Sequence, residues 1–314
     1  MLEKWKRSLT GSKHQPPNLG NVCSNPFASA MNTVILFSLL GAVNFFGDKN
    51  VFQEPIAYPR SPETSVSVNS AKYYGHRIEY INAEIGRDLP LVTFGELIKY
   101  QFVLQGGTWV ALGYRDGAFP LLTQDFYFSL GPAFKWNTFS GTLKFNHISA
   151  HLGDGIDDLI YETLSQKEKN QFDQANSMTG DRLQLVQPKN YSRDYLSAQL
   201  AWNPPRITSG TNRLYVQAGY AHKMIPRTLG RWYAGVGNEM TYPGHSFDYF
   251  TASDLTWNQD VDSFDYSLRS GIEFGDSSSL FNTQIALTVY SGSDRRGQLV
   301  GRNLTQVGFG VFIQ

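Results

Sequence analysis

Cysteine is almost missing from this chain of 314 residues: Cys23 stands alone, so neither an intrachain disulfide framework nor a thiolate metal site can be built within it. Charge is scarce as well. Asp, Glu, Lys and Arg supply 17% of residues, 27 acidic against 27 basic, where soluble domains usually carry about 25%. With no basic excess there is no footprint for a phosphate backbone, and nucleic acid is excluded as a partner. No run reaches the ~18 apolar residues of a membrane-spanning helix. Helical periodicity is confined to the charged stretch 157–178. Dinucleotide, phosphate-loop and G-x-S-x-G signatures are missing; GVGNEM at 235–240 has glycines without a following helix, and these are expected to relieve crowding on one face of a strand.

Aromatics are abundant, at 14% of residues, beside 29 glycines. From about residue 63 the pattern has period two, the mark of strands. In QIALTVY at 284–290, Ile285, Leu287 and Val289 oppose Gln284, Ala286 and Thr288. In RLYVQAGYA at 213–221, Leu214, Val216, Ala218 and Tyr220 oppose Arg213, Gln217 and Gly219, and the closing stretch sets Val307, Phe309, Val311 and Ile313 on one side. Further strands are expected near 65–74, 78–86, 96–105, 108–115, 121–131, 141–152, 191–202, 232–241, 247–257 and 265–274, with turns such as RDGA at 115–118 and NPPR at 203–206 between them.

An antiparallel sheet of about 12 strands, within a range of roughly 10–14, must deal with its edges, and closure into a barrel does so. That many strands enclose a bore too wide to fill as a dry core. The apolar faces are therefore expected to meet lipid, with a polar interior: an all-β, antiparallel transmembrane barrel of the outer-membrane type, in a Gram-negative-type bacterium, with membrane lipid as partner. Strand ends rich in aromatics, at Trp202, Trp232, Tyr233 and Trp257, fit, as does Phe312 close to Gln314. Residues 1–47 are expected to be a targeting segment or disordered leader, in which VILFSLLGAVNFF at 34–46 forms the apolar stretch of a signal. Residues 48–62, punctuated by Pro55, Pro59 and Pro62, form an extended N-terminal segment, and 63–314 the barrel, interrupted by a long loop at 153–190.

Three stretches, VFQEPIAYPRSPETSVSV at 51–68, FNHISAHLGD at 145–154 and YSGSDRRGQLVGRNLTQVGFGVFIQ at 290–314, resemble an uncharacterised family of bacterial outer-membrane proteins marked by an "ADPREP"-like and an "SSHLGDE"-like motif. Ala150 stands where that family's second serine falls and Gly155 where its acidic residue falls. The resemblance implies an outer-membrane barrel and no settled activity. A looser resemblance, carried by the H-x-S pair of His147 and Ser149, is to outer-membrane phospholipase A and the lipid A deacylase. Ala150 replaces the Asn that usually follows that serine.

Along FNHISAH the side chains of Leu143, Phe145, His147, Ser149 and His151 share one face. If Leu143 and Phe145 face lipid, so do the histidines and serine, and a two-residue step of roughly 7 Å brings a base within reach of Ser149. His147 is the candidate base and His151 the alternative. In YSRDYLSAQLAW, Asp194 has the parity of Leu196 and Leu200, so an antiparallel neighbour brings it beside His147 as the orienting group; one residue of slip would send it inside. The competing reading is a polar girdle where His, Ser and Asp meet water and head groups. Asp154, Asp157 and Asp158 offer oxygen ligands for Ca²⁺ should the chain be a hydrolase, without the spacing of a dedicated calcium loop; otherwise no cofactor is expected. His76, His222 and His245 are isolated. The leading functional readings are a passive channel, lined by Arg213, Tyr215, Gln217, Gln284 and Thr288, or a structural surface barrel. Lipid ester hydrolysis by Ser149 and His147 is the alternative.

Overall fold

The computed structural model describes residues 43–46, 49–73, 76–114, 117–153, 155–156, 161, 164–179, 191–205, 209–259, 261–275 and 282–314. Cys23, nearly all of the expected leader, and Asp154, Asp157 and Asp158 lie outside these described residues.

Period-two alternation becomes strand wherever it occurs. A two-residue strand β1 (Asn44–Phe45) precedes β2 (Thr64–Tyr73), β3 (His76–Phe94), β4 (Lys99–Gly113), β5 (Leu121–Trp136), β6 (Phe139–Leu152), β7 (Tyr191–Trp202), β8 (Thr211–Ile225), β9 (Trp232–Tyr242), β10 (Asp248–Asn258), β11 (Ser263–Phe274), β12 (Thr283–Ser293) and β13 (Asn303–Ile313). Each strand from β2 onward pairs antiparallel with its sequence neighbours, and β13 pairs with β2, so twelve strands close a barrel. No helix among the described residues is long and apolar enough to cross a membrane. Helix α1 (Gln166–Thr179) lies in the long connection and opens on a capping box, in which the Ser165 amide donates to Glu168 at 2.8 Å.

The two strands expected at 96–105 and 108–115 are one strand, β4. The expected gap at Gly106 and Gly107 lies within it, and Gly107 marks a close approach of β3: a Cβ there would stand 3.0 Å from the Ile85 carbonyl oxygen. A similar slot opens between β8 and β9, where a Cβ on Gly237 would meet the Tyr215 ring at 2.1 Å. Tyr215 therefore lies across its neighbour's backbone and donates to Asp254 at 2.8 Å.

Apolar side chains face outward around the whole circumference. Val68, Leu143, Leu200, Val216, Leu287 and Phe309 are exposed, Phe309 at 55%, while Asn69, Gln101, Gln105, Asn146, Gln217 and Gln284 are buried, Gln284 at 0%. In water this arrangement would expose the apolar surface that folding normally hides; in a bilayer it is what a closed barrel requires. Trp136, Phe139, Trp202, Tyr242 and Tyr249 ring the end with the short 137–138 turn, and Phe126, Trp232, Phe264 and Tyr266 ring the end that carries the 153–190 loop. Both are aromatic girdles. Tyr233 does not belong to the second: it points inward at 5% exposure, its ring centroid 6.1 Å from that of Tyr195.

The polar lumen is filled. Residues 50–63 rise through it as a finger and return to Thr64, with Phe52 and Ala57 buried. Lys144 pairs with Glu54 at 2.5 Å, and Arg269 grips both oxygens of Glu63 at 2.6 and 2.7 Å with its guanidinium 3.9 Å from the centre of the Phe312 ring. Arg213 bridges Glu239 at 2.9 Å and the Gln53 carbonyl at 2.5 Å, and Glu239 also accepts from the Ile56 amide. From the opposite mouth the 294–302 connection folds inward through a short 3₁₀ turn at Gly297–Leu299, burying Leu299 and Val300. Arg295 donates to the Pro59 carbonyl at 2.8 Å, so the two insertions meet. Of the residues expected to line a pore, Arg213, Tyr215, Gln217 and Gln284 are buried in the interior and Thr288 is half-buried; Arg213 bonds the finger, Tyr215 and Gln217 bond Asp254, and Gln284 bonds Glu273.

Candidate active site on the outer wall

The β6–β7 pairing sets Phe145 opposite Leu196, His147 opposite Asp194 and Ser149 opposite Ser192. Because Phe145 and Leu196 are exposed on the outer wall, alternation carries His147, Ser149 and Asp194 outward too. His147 Nδ1 lies 2.6 Å from Asp194 Oδ1, the imidazole 44% and the carboxylate 21% exposed. That places both at the wall, accessible from the membrane side, and within a charge-assisted hydrogen bond.

Ser149 has a different immediate partner. Its Oγ lies 3.3 Å from His151 Nε2, and among the described residues no hydrogen bond joins it to His147. The serine thus stands between two imidazoles on one strand, one carrying the carboxylate and the other holding the hydroxyl. On the β5 side the strip is walled by Phe126 and Phe128, the register partners of Ser149 and His147. His151 packs edge-on against Phe126 at 5.8 Å.

Behind the strip the wall is closely packed. Ile148 and Ala150 point inward into a cluster with Tyr191, Tyr195, Met224 and Val300, and Gln298 of the inward turn donates to the Ala150 carbonyl at 2.8 Å. Segments 51–68, 145–154 and 290–314 therefore converge: Pro59 holds Arg295, and Gln298 holds the backbone between Ser149 and His151. Inside, two cavities of about 40 Å³ each surround Pro59, Arg60 and Arg295. Each has room for a water or two and none for an organic substrate.

On the β8 side the register steps by one residue between Asp194 and Tyr195: Tyr195 opposes Ala221, and Asp194 opposes Lys223. His222 is the extra residue of a β-bulge, and both it and Lys223 are exposed. The His222 ring lies 5.7 Å from that of Phe145. Sequence reasoning treated His222 as isolated, since nothing in alternating apolar and polar residues announces a bulge. Asp154, Asp157 and Asp158 fall outside the described residues, and among those described no three His, Cys, Asp or Glu side chains gather as metal ligands.

No family model matches the chain, and no curated protein matches its sequence. Its fold is similar to that of outer-membrane phospholipase A from Escherichia coli, with a TM-score of 0.50 at 11% identity over 85% of this chain and 95% of that one. More distant similarities are to the Salmonella typhi outer-membrane phospholipase dimer with bound calcium, at TM-score 0.48, 11% identity and 84% and 95% coverage, and to the transport unit of the autotransporter AIDA-I from Escherichia coli, at 0.45, 14% identity and 84% and 94% coverage. The likeness to the Escherichia coli phospholipase shows an outer-membrane β-barrel fold.

Proposed function

We propose that this outer-membrane barrel is a lipid acyl hydrolase, phospholipase-like or lipid A deacylase-like, acting on its outer wall. The observation that carries the reading is the 2.6 Å contact between His147 and Asp194, one strand step from Ser149 and facing the membrane. The filled lumen counts against an open passage along the axis. An outer-membrane phospholipase shares the fold, so a barrel of this design is compatible with the chemistry.

Asp194 accepts the Nδ1–H of His147 and so leaves Nε2 as the basic nitrogen, the tautomer a general base needs. A turn about the Ser149 Cα–Cβ bond carries Oγ from His151 toward His147. His147 then takes the hydroxyl proton as Oγ bonds to the ester carbon. The tetrahedral adduct collapses with cleavage of the ester C–O bond, and the imidazolium returns its proton to the departing alcohol oxygen. Water, activated by the same histidine, releases the fatty acid and restores Ser149. The acyl chain stays in hydrocarbon beside Phe126, Phe128 and Phe145 throughout. A Ca²⁺ ion held by Asp154, Asp157 and Asp158 belongs to this reading only as a condition to be varied, and no step is routed through it.

The test is fatty-acid release from phospholipid and from lipid A by refolded protein, with and without Ca²⁺. Ser149→Ala is expected to abolish release while the barrel keeps its folded electrophoretic mobility. Undiminished release from that variant, or none from the native chain on either lipid, sinks the reading and leaves a structural barrel.

A further inference from the structure

Beside the candidate strip lies a cluster of cations that form no ion pair among the described residues. Lys223 is the β8 partner of Asp194, exposed on the outer wall, and it forms no ion pair among the described residues; the Asp194 carboxylate is already engaged by His147. The bulge that turns Lys223 outward turns His222 outward too, where its ring rests on Phe145. Four residues on, in the connection to β9, Arg227 is exposed and likewise free of any ion pair among the described residues. Arg231 follows, exposed and within 3.3 Å of the Tyr220 hydroxyl. Trp232 and Tyr220, with ring centroids 4.7 Å apart, fix this level as the girdle beneath the 153–190 loop.

An unpaired cation is costly among acyl chains and favourable among anionic head groups, so two of them at the girdle mark a phosphate level. Lys223 is two strands from His147, a separation of about 10 Å. A glycerol or glucosamine backbone bridges that interval, carrying an esterified acyl chain on one carbon and phosphate on another.

We propose, on the strength of the hydrolase reading, that Lys223 and Arg227 bind the phosphate of the lipid whose acyl ester lies at Ser149, and that the substrates are phosphate-bearing lipids in preference to neutral glycerides. The bulge at His222 is the device that makes room for this: it lets one strand present two successive side chains to the membrane.

Binding is to be measured apart from turnover, in the full chain carrying Ser149→Ala, by electron spin resonance of spin-labelled lipid. Phosphatidylglycerol is expected to associate about tenfold more strongly than diacylglycerol, and Lys223→Gln with Arg227→Gln to reduce that ratio to near one while the folded mobility is unchanged. Excess inorganic phosphate should leave the ratio in place; if it abolishes it, the site is a free-anion site and the lipid assignment falls. A ratio near one in the Ser149→Ala protein, or one that survives both substitutions, overturns the proposal even if the native chain hydrolyses lipid. Conversely, selective binding with no hydrolysis by the native chain removes the catalytic reading and leaves a lipid-binding wall.

Discussion

Ser149 sits between two imidazoles, and the two are not equivalent. His147 has a carboxylate on one nitrogen, which in the proposed mechanism fixes its tautomer and stabilises the imidazolium; His151 has the serine on Nε2 and an aromatic edge at its side. His147→Ala is therefore expected to lower the rate of fatty-acid release by about a thousandfold or more, and Asp194→Asn by a comparable factor through loss of the correct tautomer. His151→Ala should change it only a few-fold. Equal losses from the two histidine variants would make His151 the base. At a second position size alone decides: Gly237→Val drives a side chain into the Tyr215 ring, 2.1 Å from where a Cβ would lie, and displaces the Tyr215–Asp254 hydrogen bond. A loss of about 2–3 kcal/mol is expected from the urea midpoint of the folded form, as for overpacking combined with a broken buried contact.

At the scale of elements, the strands were legible because period two survives every tertiary context in a barrel whose two faces meet different media. Parity alone put Leu143, Phe145, His147 and Ser149 on one face, and a single assumed pairing put Asp194 beside His147; the β6–β7 register has that pairing. Three things were not legible. Gly106 and Gly107 looked like punctuation because a glycine's closeness to a neighbouring strand leaves no trace in its own sequence. Tyr233 looked like a girdle residue because an aromatic carries no sign of the side it takes. The His222 bulge, and with it the exposure of Lys223, depends on pairing between strands. The finger was read as an extended segment from its prolines, but its location inside rests on ion pairs between residues 90 and 206 positions apart, Glu54 with Lys144 and Glu63 with Arg269. Lys144→Met leaves the half-buried Glu54 without its counter-charge and should cost about 3 kcal/mol. Adding Glu54→Gln should restore most of that loss, as read by the same urea transition; failure to recover would mean that Lys144 is not held mainly for its charge.

For the molecule as a whole, the apolar wall faces outward and the described interior is packed by the finger and the 294–302 turn, so the proposed hydrolase reading puts its chemistry on the lipid side. Native protein in a planar bilayer is expected to give no stable conductance steps. Glu54→Ala combined with Glu63→Ala removes the acids by which Lys144 and Arg269 hold the finger, and the freed cations would then face a wet bore. Steps should appear in that variant, and steps in the native chain would return the passive channel to first place. The finger also constrains how the molecule is made. It precedes β2, and β2 forms the seam with β13 that completes the hoop. Threaded peptide and closed hoop must therefore be produced in a definite sequence during membrane insertion: the first and last strands zip together around material already laid inside, or the peptide enters afterwards from the side on which residues 44–45 join β3, making lumen filling a late, separable stage of biogenesis.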